Sequence, residues 1–191
     1  MSSLVGFKAA LLGGGARPNQ FRVQLTFPAI ASNQMAGLAA PFLVKSASLP
    51  AIDIGVATVF YHGRQVPLAG ERVFNPWSVS VYNDNNFLLR NAMETWSNAM
   101  NNFVNNTGNT SPFAYKADMS VSQLDRNGVV VKTYKFVGAF PQAIGEIGLD
   151  FGANDQVEEF PITFAYEHYE TEDQGLISAG INVAGIGIPV I

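Results

Sequence analysis

The chain has 191 residues, of which 48% are hydrophobic and only 14% charged, with a formal net charge of −4 and no cysteine. The acidic balance and the lack of any basic block argue against tight binding to nucleic-acid phosphates. Without Cys there are no disulfides, no thiolate metal ligands and no thiol nucleophiles.

A soluble domain carries about 25% charged residues on average, so this chain is short of charge for its surface. Two remedies exist. Other subunits cover much of the surface, or the surface is built from uncharged Asn, Ser, Thr and Gln. The first is favoured, because monomers seldom expose large apolar patches. The length fits a single domain over residues 1–191 with extensions.

In chain order, residues 1–15 read as a flexible Gly-rich leader that ends at Gly13-Gly14-Gly15. Gln20–Phe27 alternates, with Phe21, Val23, Leu25 and Phe27 on one side and Arg22, Gln24 and Thr26 on the other, and predicts a half-buried strand. Pro28–Pro41 is Ala/Gly/Ser-rich and predicts a loop. Phe42–Leu49 predicts a strand closed by Pro50. Residues 52–68 (IDIGVATVFYHGRQVPL) predict two short strands around Gly63, a hairpin projecting from the body. Arg72–Tyr82 is the next strand, with Trp77, Val79 and Val81 sharing a face.

One helix is expected. Asn83-Asp84-Asn85-Asn86 supplies N-cap types. Leu89, Met93, Trp96, Met100 and Phe103/Val104 follow at helical spacing, and Asn105–Pro112 ends the run with turn chemistry. Met119–Leu124 and Val129–Val137 flank Asp125-Arg126-Asn127-Gly128, an Asn-Gly hairpin signal. Phe160–Tyr169 alternates again, and Pro161 implies an edge position or a strand start. The uncharged tail, residues 175–191, reads as an extended arm docking on protein or as a loose end. The fold class is mainly β, a two-layer antiparallel sandwich or barrel with one flanking α-helix.

Chemistry finds little footing. His62 and His168 stand apart, with no HxH or HExxH pattern, and a metal needs three or four convergent ligands. Glu158 and Glu159 are adjacent on an extended segment and point to opposite faces. Gly13-Gly14-Gly15 is followed by Ala16-Arg17-Pro18 and not by the Gly-Lys-Ser/Thr of a phosphate loop. No catalytic, cofactor or metal residues are assigned.

Several segments, taken in order, resemble the tail tube proteins of contractile-tailed bacteriophages. They are Ala16–Val23 (ARPNQFRV), Ser46–Ile54 (SASLPAIDI) and Gly70–Asp84 (GERVFNPWSVSVYND) with its Arg72, Phe74, Trp77 and Val79. Trp96, Ala114-Tyr115-Lys116, Gln123–Gly128, Gly138–Pro141 and Glu159–Tyr166 follow. The leader, the Pro28–Pro41 segment and the tail after Glu172 depart from that pattern. Tube subunits of R-type bacteriocins and extracellular contractile injection systems are similar.

The resemblance implies hexameric rings stacked into a hollow tube. Each subunit would give strands to one continuous inner barrel. The implied partners are a contractile sheath, baseplate, tape measure and tail terminator proteins, and genomic DNA passing through without specific binding. The implied cofactors are none. On this reading the hairpin docks on a neighbouring subunit through Ile54, Val56, Val59, Tyr61 and Arg64, and the tail does so through Ile181, Val183 and Ile186. The competing class is a β-sandwich binding module.

Overall fold

A computed structural model of the chain describes residues 4–11, 15–31 and 34–173. The elements are α1 (Leu4–Ala10), β1 (Phe21–Gln24), a 3-10 turn (Ala29–Ala31), α2 (Gln34–Leu43), β2 (Val44–Ala47), β3 (Ile52–Tyr61) and β4 (Arg64–Phe74). After them come β5 (Trp77–Tyr82), α3 (Leu88–Met100), α4 (Pro112–Tyr115), β6 (Ala117–Leu124), β7 (Val130–Ile144), β8 (Glu159–Ala165) and β9 (His168–Asp173). The class is the one expected, mainly β and antiparallel throughout, and among the described residues the sheet is open.

The strands run β1-β6-β7-β8-β5-β2, with β9 also on β7, and β3-β4 form a separate hairpin. Two layers arise because β7, 15 residues long, belongs to both. Its first part pairs with β6 on one side and β9 on the other. Its last part, from Phe140, pairs with β8. Between the two stands Gly138 at φ 64°, a left-handed conformation that glycine adopts without strain. The sheet folds over there, and the two apolar faces meet.

Alternation fills the space between the layers. Val23, Met119, Val121 and Phe136 point in from one layer, and Trp77, Val79, Val81, Phe160, Ile162 and Phe164 from the other, all buried. The Trp77 and Phe136 rings stack across the layers with centroids 4.3 Å apart. The Trp77 indole N–H donates to the Ser48 carbonyl at 2.7 Å, so its polar atom is satisfied.

Helix α3 covers the core with Leu89, Ala92, Met93 and Trp96. Its N-cap position falls on Phe87, just past the Asn/Asp run expected to cap it, while from that run the Asp84 carboxylate accepts the Leu88 N–H at 2.8 Å. The Trp96 N–H donates to the Tyr115 carbonyl at 2.7 Å, tying the helix to α4.

Several expectations are corrected. The leader holds a helix, α1, and the Pro28–Pro41 segment is mostly the 3-10 turn and α2, which takes in Pro41 and leaves only Val44–Ala47 as strand. Together with α4 they make the single expected helix one of several. Helix α3 stops at Met100, so Phe103 and Val104 leave its stripe. There the Asn98 side-chain oxygen accepts the Phe103 N–H, and that of Asn102 accepts those of Val104 and Asn105. Such local bonds compete with helix continuation.

The predicted strand Arg72–Tyr82 is broken at Asn75-Pro76 into β4 and β5. Phe160–Tyr169 is likewise two strands, and the break at Tyr166-Glu167 shifts the phase. Tyr169 then sits opposite Phe136, while His168 sits opposite the outward-facing Val137. Finally, Pro161 lies in an interior strand, between β5 and β7. Ile144–Ile162 is the last β7 pair, so the missing N–H falls where that ladder stops. The Pro161 carbonyl still accepts the Gly145 N–H at 2.7 Å.

Candidate assembly surfaces

The β3-β4 hairpin stands off the body. From Asp53 to Val73 every residue is exposed, and only its base is anchored, where Phe74 packs edge-on to Tyr169 and against Tyr166. The turn is the two residues His62 and Gly63, with φ of 46° and 79°. Positive angles at both central positions make the tight turn whose twist matches the strands. Near the base, β4 carries one extra residue opposite Gly55, so the ladder shifts between Ile54 and Val56. A Cβ on Gly70 would lie 2.9 Å from the Gly55 carbonyl oxygen, so the glycine there lets the strands close up at the bulge.

The sequence-predicted interface residues Ile54, Val56, Val59, Tyr61 and Arg64 all lie on this hairpin. The register separates them. Val56 shares a face with Phe60 and Pro67, whereas Val59 and Tyr61 share the other with Val66, Leu68 and Arg64. Both faces are therefore apolar, and Phe60 and Tyr61 are each 68% exposed. Phe60, Val66 and Leu68 are exposed beside them, where one apolar face was expected; strict alternation through residues 56–68 would have shown two. The tail residues Ile181, Val183 and Ile186 lie outside the described residues.

An isolated two-stranded hairpin is marginal in water. One that offers aromatic and branched side chains on both sides needs covering from outside. Two further loops share this character. The segment after α3 presents Phe103, Val104 and Phe113, and the β7–β8 loop presents Leu149, Phe151 and Val157, all exposed. The first is stiffened by the Asn98 and Asn102 bonds, and the second by Asp150, which accepts the Gly152 N–H at 2.8 Å.

The sheet layers differ from these loops in turning polar faces outward. On one layer lie Arg22, Gln24, Ser120, Ser122, Thr133, Lys135, Glu170 and Glu172, with the Ser122 and Thr133 hydroxyls 2.9 Å apart. On the other lie Ser78, Ser80, Tyr82, Glu159 and Thr163. Beside the Gly138 kink stand two ion pairs, Lys116–Glu167 at 2.7 Å and Lys135–Asp118 at 3.1 Å. Lys116 holds the Glu167 carboxyl below its ordinary range. Burial pulls Asp118 upward, but the Gly138 amide and Lys135 outweigh it and its carboxyl too is lowered. The histidines sit far apart in sequence and role, His62 in the hairpin turn and His168 opening β9.

A two-layer β body with short open edge strands, hydroxyl-rich outer faces and an uncovered apolar hairpin leaves edges and apolar surface that a structural subunit covers with other chains. Residues 16–172 match the family described as phage tail tube protein, and the chain belongs to that family. It is 29% identical over 168 residues to the tail tube protein of Serratia phage KSP90, covering 87% of this chain and 95% of that one. It is 29% identical over 159 residues to tail tube protein gp19 of Enterobacteria phage T4, covering 83% and 93%. Among solved structures, the fold resembles a chain of the anti-feeding prophage baseplate, with a TM-score of 0.59, 18% identity and coverage of 83% and 96%. It also resembles a chain from the sheath/tube terminator of the PVC extracellular contractile injection system, at 0.58, 14%, 83% and 96%.

Proposed function

We propose that this protein is the repeating structural subunit of the inner tube of a contractile phage tail, with hexameric rings stacked into a conduit for DNA. It acts as a wall and not as a catalyst. The observation that carries the reading is the β3-β4 hairpin, exposed along its whole length with apolar side chains on both faces. It is suited to lie between two sister subunits, one against each face. The open edges at β1, β2 and β9 are suited to continue the sheet around a ring, which removes edges from solvent. Such a ring turns one hydroxyl-rich sheet face toward the lumen.

Six copies at −4 give a ring of about −24. An acidic wall repels phosphate and a neutral one does not hold it, so duplex slips past. A basic inner wall, found by placing the charges in an assembled tube, contradicts this part of the reading. The tube is a passive conduit whose driving energy comes from the surrounding sheath. The tail, residues 175–191, serves as an inter-subunit arm, and protease trims it in free subunits but spares it in tubes. Sheath, baseplate, tape measure and terminator proteins are the expected partners, in a virion tail put together in the host cytoplasm.

The test is negative-stain microscopy of purified protein beside a variant lacking residues 53–67. The full chain gives tubes or six-fold rings. The variant stays folded by circular dichroism but remains dispersed. Ordinary tubes from the variant would overturn the role of the hairpin, and a full chain that stays monomeric at high concentration favours a binding module instead.

A further inference from the structure

Two helices of this chain carry the same unpartnered stripe. On the α1 turn the large apolar residues are Leu4, Phe7 and Leu11; on α2 they are Met35, Leu38 and Phe42. Both sets fall at i, i+3 and i+7, one side of a helix. Leu11 keeps the helical path, its N–H donating to the Phe7 carbonyl at 3.2 Å. Helix α2 is inverted relative to an ordinary surface helix. It turns Ala36 and Ala40 inward, both fully buried, and its large side chains outward. Leu38 is 72% and Phe42 86% exposed, while Phe7 on α1 is 62% exposed.

We infer that α1 of one subunit docks across α2 of a neighbouring copy in the assembly. Neither stripe covers the other within the single chain, since both stand exposed at once. The two surfaces match in length and spacing. They also match in charge, for α2 has none and α1 has only Lys8, one position away from the stripe where its stem can lie along the rim. The residues between Leu11 and Phe21 reach about 30 Å when extended, enough to hand α1 to a neighbour. Helix α1 precedes residue 16, where the family match starts, and α2, Gln34–Leu43, lies within it. The pairing is a strap between copies that fastens apolar surface the body leaves bare. It rests on the assembly reading above, because it needs a second copy.

The absence of Cys makes the test clean. Chains carrying Phe7→Cys alone and chains carrying Leu38→Cys alone are mixed, assembled and oxidised. A disulfide between the two kinds of chain, at twice the monomer mass and only in tube fractions, is the expected result. Phe42→Ser, on the outward side that the subunit's own core does not use, raises the subunit concentration needed for tubes by about tenfold.

Well-formed tubes with no such cross-link overturn the inference and leave the tube reading standing. A Phe7→Cys/Leu38→Cys chain that closes only on itself also overturns it, as does a stripe shielded only when a different protein is added. A wild-type chain that forms no tubes defeats the tube reading itself, and the strap with it.

Discussion

Gly138 sits at φ 64° with the Asp118 carboxylate accepting its N–H at 3.2 Å and the Glu167 side chain 3.0 Å from where a Cβ would go. A side chain there meets both left-handed strain and the glutamate. Gly138→Ala should cost about 1–2 kcal/mol, read as a lower urea midpoint at unchanged slope. An unaltered midpoint would mean that the fold-over of β7 does not need the glycine. The same spot sets an acid limit. Asp118 and Glu167 both have carboxyls lowered in the folded chain. Their contribution is therefore complete above the ordinary carboxylate range, near about pH 4, and is lost as pH falls through the lowered values. Replacing both with Asp118→Asn and Glu167→Gln should flatten the stability profile below about pH 4 while leaving its shape near neutrality. Trp77 joins the two layers, because it stacks on Phe136 and touches Phe164. Trp77→Ala should destabilise by about 3–5 kcal/mol, enough to leave a domain of ordinary stability largely unfolded when warmed.

Elements obey simpler rules where one face meets the core. Phe21, Val23 and Leu25, or Trp77, Val79 and Val81, alternate because each strand has a wet side and a dry side, and that period is plain in the sequence. The helix face of Leu89, Met93 and Trp96 is legible for the same reason. What could not be read follows from the same physics with an outside term added. Helix α2 hides its period because alanines face in and the large residues face out. The hairpin β3-β4 has no dry side among the described residues, and both its faces are apolar where a single apolar face was expected. The β8–β9 break at Glu167 lies beside Gly138 in a distant strand, and local alternation carries no trace of it. The hairpin's independence from the core makes a sharp expectation. Phe60→Ser and Val66→Ser lie on opposite faces, and each should abolish or strongly weaken tube formation while shifting the subunit's melting temperature by less than about 2 °C. A large loss of subunit stability from either would show that the hairpin packs on its own body.

At the scale of the whole molecule, the low charge noted in the composition is resolved by where the apolar surface lies. It is gathered on the hairpin, the helix stripes and the loops around Phe103, Phe113 and Phe151, while the sheet faces stay polar. An assembly joined through such patches is driven by apolar burial, opposed by the mutual repulsion of subunits at −4 each. Apolar burial weakens on cooling and is strengthened by sulfate, which also screens like charges. The subunit concentration at which tubes first appear should therefore be several-fold higher at 4 °C than at 25 °C, and should fall on adding sulfate. Were hydrogen bonds and ion pairs between subunits the main link, chilling would favour tubes and salt would dissolve them. Sedimentation of tubes across the two temperatures and a sulfate series separates the cases, because both dependences reverse sign together.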